Sequence, residues 1–212
     1  MIKNIFFDFD GVILDSVDCK TKAFVKMYMK YGKKVAEKVK SYHLMHGGIS
    51  RFEKFKFWHK NYLNKNLDEK SLKILTDKFS KLVFEEVLSS KEIEGSFDFI
   101  KRNFKFYNLW IITGTPDDEI QLITQKLGIS KYFKGIHGSP SKKEFWTEQI
   151  INKFDLVREE TIFIGDAKTD YDAAIKSRIN FALREAPYNK NDFNSLNLLK
   201  FSSFNEFEKL LI

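Results

Sequence analysis

Phe6-Phe7-Asp8-Phe9-Asp10-Gly11-Val12-Ile13-Leu14-Asp15-Ser16 sets an apolar run directly ahead of two carboxylates one residue apart and a glycine. With Ile5 in front of it, the run reads as a strand buried on both faces. Alternate residues of an extended segment project to the same side, so Asp8 and Asp10 point together. Burying paired carboxylates is costly unless a cation or hydrogen-bond partner meets them. The plainer reading is a strand end with an Asp turn and a helix cap. The sharper one is an active-site strand, and the rest of the chain decides between them.

Downstream, Ser16 to Tyr31 has helical patterning that ends near Gly32, with Val17, Phe24, Val25 and Tyr28 close to one face. Lys33 to Ser90 shows helical patterning and no good strand run. Helices are expected over Val35–Leu44, Ser50–Leu63 and Asp68–Leu88, with Asp68 or Ser71 as the cap of the last. This stretch is an insert and not a simple crossover.

From Glu94-Gly95-Ser96 strands and helices alternate. Ser96 is expected to cap a helix through about Phe104. Strands are expected at Leu109–Ile112, Gly135–Gly138 and Thr161–Gly165, with Asn180–Leu183 as the last one. Helices are expected from Pro116 to Gly128, over Ser141–Phe154 and Ala167–Lys176, and over Phe204–Leu211 in the tail. This alternation predicts an α/β fold, a Rossmann-like parallel sheet core with an inserted α-helical cap. The core is expected over 1–15 and 91–212 and the cap over 16–90. Ligands of such sheets sit at the carboxyl ends of the strands. That rule selects Asp8 and Asp10, Thr113 and Gly114, the residues after Ile136, and Asp166 with Asp170.

Composition narrows the classes. The 212 residues suit one large domain or a domain with an insert, and 43% hydrophobic with 31% charged residues describe an ordinary soluble protein. No apolar run reaches the roughly 20 residues of a membrane span, and Met1-Ile2-Lys3-Asn4 leads straight into a strand, so no membrane partner and a cytoplasmic location are expected. The single cysteine, Cys19, allows neither an intrachain disulfide nor a Cys zinc cluster and reads as an inert helix residue. The net charge of +7 permits nucleic acid, an acidic substrate or a lysine-rich surface. Lysines are spread along the chain without interleaved aromatics, so no nucleic-acid partner is expected.

Four segments in this order carry a resemblance: Asp8-Phe9-Asp10-Gly11-Val12, Ile112-Thr113-Gly114, a lysine in Gly138-Ser139-Pro140-Ser141-Lys142-Lys143, and Gly165-Asp166-Ala167-Lys168-Thr169-Asp170. Together they resemble the haloacid dehalogenase-like hydrolases, in the helical-capped branch of phosphoglycolate phosphatases and β-phosphoglucomutases, over nearly the whole chain. The resemblance implies a Mg²⁺-dependent phosphatase of a small phosphorylated metabolite, working through an aspartyl-phosphate. It makes Asp8 the nucleophile and Asp10 the acid/base. Asp8, the carbonyl of Asp10, Asp166 and Asp170 become metal ligands, with Asp170 direct or through water. Thr113, Gly114 and a lysine bind phosphate, with Lys143 ahead of Lys142. An aspartyl nucleophile divides one difficult displacement into two easier ones, and the second acid serves proton transfer. A metal cation offsets the repulsion between these acids and a phosphate dianion.

Within the expected cap, His46-Gly47-Gly48-Ile49-Ser50-Arg51 is similar to a substrate-specificity loop of the family, which directs Arg51 and His46 toward an anionic substrate. Sugar phosphomutases of the family carry a His where Lys20 stands, which makes a phosphomutase the alternative and not the first reading. A non-catalytic, phospho-ligand-binding regulatory protein is the alternative of another class. A monomer or a homodimer is compatible with the sequence.

Overall fold

The computed structural model describes residues 1–211. Strand β1 (Asn4–Phe7) lies inside a parallel sheet, flanked by β2 (Asn108–Pro116) and β4 (Thr161–Gly165). β3 (Gly135–Ser139) extends the β2 side, and β5 (Asn180–Arg184) and β6 (Leu199–Phe201) extend the β4 side, giving the order β3-β2-β1-β4-β5-β6. Ile5, Phe6 and Phe7 are fully buried because helices cover both faces. Alternation divides them. Phe6 meets Trp110 and Phe163 edge-on at 5.4 and 6.2 Å in one layer, while Ile5 and Phe7 join the other, where Phe7 stacks with Phe204 at 6.1 Å. Burial of one such ring stabilises by about 1.5–3 kcal/mol.

The chain leaves β1 through Gly11, at φ +81°, where any side chain would collide with Asp166 and Tyr188. It then forms α1 (Val17–Tyr28), α2 (Lys33–Met45), α3 (Arg51–Leu63) and α4 (Glu69–Leu88) before returning to the sheet. Their shared interior is aromatic: Phe24 stacks on Phe79 at 3.9 Å and meets Trp58 edge-on at 4.9 Å. Ser50 caps α3 by accepting the Glu53 N–H, and Asp68 rather than Ser71 caps α4, accepting the Ser71 N–H at 2.6 Å.

The second half follows with α5 (Ser96–Asn103), α6 (Asp117–Lys126), α7 (Lys143–Phe154), α8 (Lys168–Lys176) and α9 (Phe204–Leu210). Three expectations change. Ser96 does not cap α5; it is the first helical residue after Gly95, and its hydroxyl donates to the Ile13 carbonyl at 2.9 Å. β2 runs on past Ile112 to Pro116, because Pro116 regains register with Ser139 after an irregularity. Asn180–Leu183 is not in the last strand: Leu199-Lys200-Phe201 adds β6, a short edge strand without a legible alternation. No helix among the described residues is long and apolar enough to cross a membrane.

Candidate active site

Because β2 and β4 depart from opposite sides of β1, the carboxyl ends of these three strands border one crevice. Asp8 sits at the tip of β1, almost fully buried. Its Oδ1 accepts the Phe9 N–H at 2.7 Å, and its Oδ2 stands 2.7 Å from Lys143 Nζ. The loop after β4 supplies Asp166, and α8 supplies Asp170. Asp8, Asp166 and Asp170 each bring a carboxylate oxygen within 4.8 Å of the others.

Lys143, at the first turn of α7, is the lysine in this cluster: its Nζ donates to Asp170 Oδ1 at 2.5 Å as well as pairing with Asp8, while Lys142 is exposed. Burial opposes its charge, but Asp170 and Asp8 outweigh that and hold the ammonium charged well above the usual lysine range. Burial and then the Asp8 charge push the Asp166 carboxyl up to about 7, against the hydrogen bond from Tyr188. Burial also pushes Asp170 up, against the Lys143 charge. Three buried acids around one ammonium are short of positive charge. An all-oxygen set with that deficit fits a hard divalent cation.

Asp10 stands apart from the cluster. Its carboxylate accepts from Ser16 Oγ at 2.5 Å, from Thr115 Oγ1 at 2.8 Å and from Lys20 Nζ, which also reaches Thr115 at 2.8 Å. Burial alone would raise Asp10, yet Lys20 and the two hydroxyls keep it below the usual carboxylate range. Thr113 is buried at the end of the apolar run of β2 and accepts the Thr115 N–H at 3.4 Å. A Cβ on Gly114 would come within 2.5 Å of the Gly48 carbonyl, so this glycine lets the inserted helices' loop approach the strand end.

That loop behaves differently from the expectation. Its glycines cover the site, with the Gly47 carbonyl accepting from Thr169 Oγ1 at 3.2 Å. Arg51 borders the cavity, but its guanidinium is taken up by Glu119 of α6 in a two-point pair of 2.8 and 2.6 Å. His46 stacks on Tyr42 at 3.9 Å, bonds the Tyr42 carbonyl, and does not line the cavity. His43, one turn earlier, does. His46 is the C-cap of α2, with φ −122° and ψ 54° outside the helical region, so its ring leaves the face from which His43 enters the cavity.

Asp8, Asp10, Lys20, His43 and Lys54 line the cavity together with Thr113. Sequence reasoning gave no role to Lys54, Thr115, Tyr188 or Asn189. Tyr188 donates to Asp166 Oδ2 at 2.6 Å, and Asn189 Nδ2 donates to the Asp166 carbonyl at 2.7 Å. The strand-end rule, applied after Leu183 as it was after Ile164, points to this Tyr188-Asn189 turn. Lys54 carries no such signal, because it is one lysine among many on a helix.

Comparison with solved structures places the whole chain on known ground. A predicted phosphoglycolate phosphatase from Haemophilus somnus 129PT is 21% identical, with a TM-score of 0.76 over 100% of this chain and 98% of that one. A β-phosphoglucomutase from Clostridium difficile is also 21% identical, with a TM-score of 0.74 over 100% and 96%. A magnesium-bound HAD-hydrolase from Bacillus subtilis is 18% identical, with a TM-score of 0.70 over 99% and 98%. At these identities the likeness concerns the fold. No curated protein sequence matches the chain. The family model described as haloacid dehalogenase-like hydrolase matches residues 5–183, spanning the ends of β1, β2 and β4 that carry the acids and Thr113, and the chain belongs to that family.

Proposed function

We propose that this protein is a Mg²⁺-dependent phosphomonoesterase of a small phosphorylated metabolite, acting through an aspartyl-phosphate on Asp8. The observation that carries the reading is the separation of the two acids of the first strand. Asp8 lies against Lys143 and the acidic cluster, while Asp10 lies with Lys20 and Thr115. One acid is thus disposed toward phosphorus and the other toward the proton.

Asp8 Oδ attacks phosphorus, the bond to the leaving oxygen breaks, and the alcohol departs. Asp10, protonated for this step, gives its proton to the leaving oxygen. Once ionised, it accepts a proton from the water that opens the aspartyl-phosphate, which restores its starting state. Thr113 and the N–H groups around Gly114 donate to the phosphoryl oxygens, and Lys143 offsets their charge. Asp8, Asp166 and Asp170, with the carbonyl of Asp10, would hold Mg²⁺. When bound, the ion supplies the positive charge that lets these acids and a phosphate dianion share one site. The inserted segment 16–90 serves as the cap over a core of 1–15 and 91–212, excluding water and selecting the leaving group.

The test is release of inorganic phosphate from p-nitrophenyl phosphate with and without Mg²⁺. Metal-dependent release is expected, and Asp8→Asn should lower it at least about 10³-fold with the fold intact. No metal-dependent release from any phosphomonoester would favour a phospho-ligand-binding protein. Isomerisation of a sugar phosphate without phosphate release would favour a mutase, the activity named for the Clostridium difficile neighbour.

A further inference from the structure

Lys54 of α3 is 2% exposed and lines the same cavity as Asp8 and Asp10. Every other buried cation bordering that cavity has a carboxylate: Lys20 has Asp10, and Arg51 has Glu119. Lys143, beside it, has Asp8 and Asp170. Among the described residues Lys54 has none. Its polar partner is the imidazole of His43, with Nζ 2.7 Å from Nδ1.

The imidazole cannot supply the missing charge. Burial and the adjacent Lys54 hold His43 well below its ordinary range, so the ring is neutral and accepts from the ammonium at Nδ1. The proton then lies on Nε2, a buried atom with no partner. The ammonium keeps two N–H donors beyond the one given to His43. A buried cation with spare donors and no counterion is costly by itself and is relieved by an anion delivered by a ligand. The Phe24 ring, 6.0 Å from Nζ, is the other favourable neighbour and carries no net charge.

We propose that Lys54, seated on His43, receives a carboxylate on the leaving group, so that the preferred substrates are phosphomonoesters of hydroxy acids and not of neutral polyols. One ammonium matches one carboxylate charge, whereas a second phosphate dianion would ask for more cations than this end of the cavity offers. Burial and the nearby Lys20 charge bring the unliganded Lys54 down to about 7, the state expected of an ammonium awaiting its counterion. The assignment rests on the phosphomonoesterase reading for its turnover test but not for its binding test.

Two pairs of near-isosteric esters separate the outcomes: 3-phosphoglycerate against glycerol 3-phosphate, and 6-phosphogluconate against sorbitol 6-phosphate. Wild-type kcat/KM should favour the acid of at least one pair by about 10- to 100-fold, the range of a charge-assisted hydrogen bond. In Lys54→Met that ratio should collapse toward one, and in Lys54→Arg much of it should survive. Calorimetric titration of the same pairs into Asp8→Asn reads recognition without turnover. Preference there, with no phosphate released by the wild type, would keep Lys54 and remove the hydrolase reading. Equal kcat/KM for acid and polyol in both pairs, or a ratio unmoved by Lys54→Met, would overturn the Lys54 assignment and leave the hydrolase reading standing.

Discussion

The guanidinium of Arg51 in α3 grips the carboxylate of Glu119 in α6 with hydrogen bonds of 2.8 and 2.6 Å. Ser80 of α4 joins them, accepting from Arg51 and donating to Glu119, each at 2.6 Å. Two helices of the insert are therefore tied to a helix of the sheet layer by a buried, fully engaged ion pair. The residue expected to meet substrate instead holds the insert over the strand ends.

Breaking this pair from one side leaves a buried charge without its partner. Glu119→Leu is expected to cost about 3–5 kcal/mol in urea unfolding. Combining it with Arg51→Met should recover most of that loss, because no charge is then stranded. A single substitution costing under about 1 kcal/mol would mean that water reaches the pair.

Lys143 is distinguished from Lys142 by what each one touches. Lys143→Met removes the ammonium shared by Asp8 and Asp170 and should lower phosphate release about 10²- to 10³-fold. Lys142→Met, on an exposed residue, should leave kcat/KM within about twofold. The opposite ranking would reassign the role to Lys142.

Most of the sheet and the acids at its strand ends are legible because short strands with apolar runs end in chemically distinctive residues. Asp8, Thr113 and Asp166 could be placed by one rule about strand ends. Lys20, His43 and Lys54 could not, since a helical residue's direction depends on how four helices pack, and no local pattern in a lysine-rich chain marks the lysine that turns inward. Arg51 shows the same limit from the other side. The partner its guanidinium takes, Glu119, lies 68 residues away in the first turn of α6, and no local pattern joins the two. β6 was missed because three residues carry too little alternation to read.

The acidic cluster links stability, pH and metal. Burial and the Asp8 charge raise the Asp166 carboxyl from 3.8 to about 7 in the folded protein. The folded state therefore holds a proton that the unfolded chain has released across that window. This contribution is fully present below the unfolded value and is lost as pH rises through about 7. Mg²⁺ held by the ionised carboxylate, as proposed, would restore it. The increase in Tm produced by Mg²⁺ should be larger near about pH 8 than near about pH 5, where protons compete and weaken the apparent affinity roughly 100-fold. Asp166→Asn should shrink the difference, leaving the part that comes from Asp170. A Tm increase independent of pH would remove Asp166 from the metal site.

Lys20 governs the proton chemistry of Asp10 by the same physics with the opposite sign. Burial pushes Asp10 up, and Lys20, with Ser16 and Thr115, brings it below its usual value. Deleting the ammonium leaves burial opposed only by the Ser16 and Thr115 hydroxyls, so Asp10 in Lys20→Met should titrate at higher pH. In the proposed mechanism Asp10 must be ionised to accept the proton of the attacking water, so the acidic limb of the kcat/KM profile should move to higher pH with it. Thr115→Val removes one neutral donor and should move the limb in the same direction by less. Lys20→Arg keeps the cation and should hold the limb near its wild-type position while the longer, planar head changes the rate. These profiles, measured with p-nitrophenyl phosphate at saturating Mg²⁺, separate a proton-transfer role from a packing role, since a packing defect lowers the rate at every pH without moving the limb. An acidic limb that stays in place when Lys20 becomes Met would detach Lys20 from Asp10 in the reaction, whatever their contact in the resting protein.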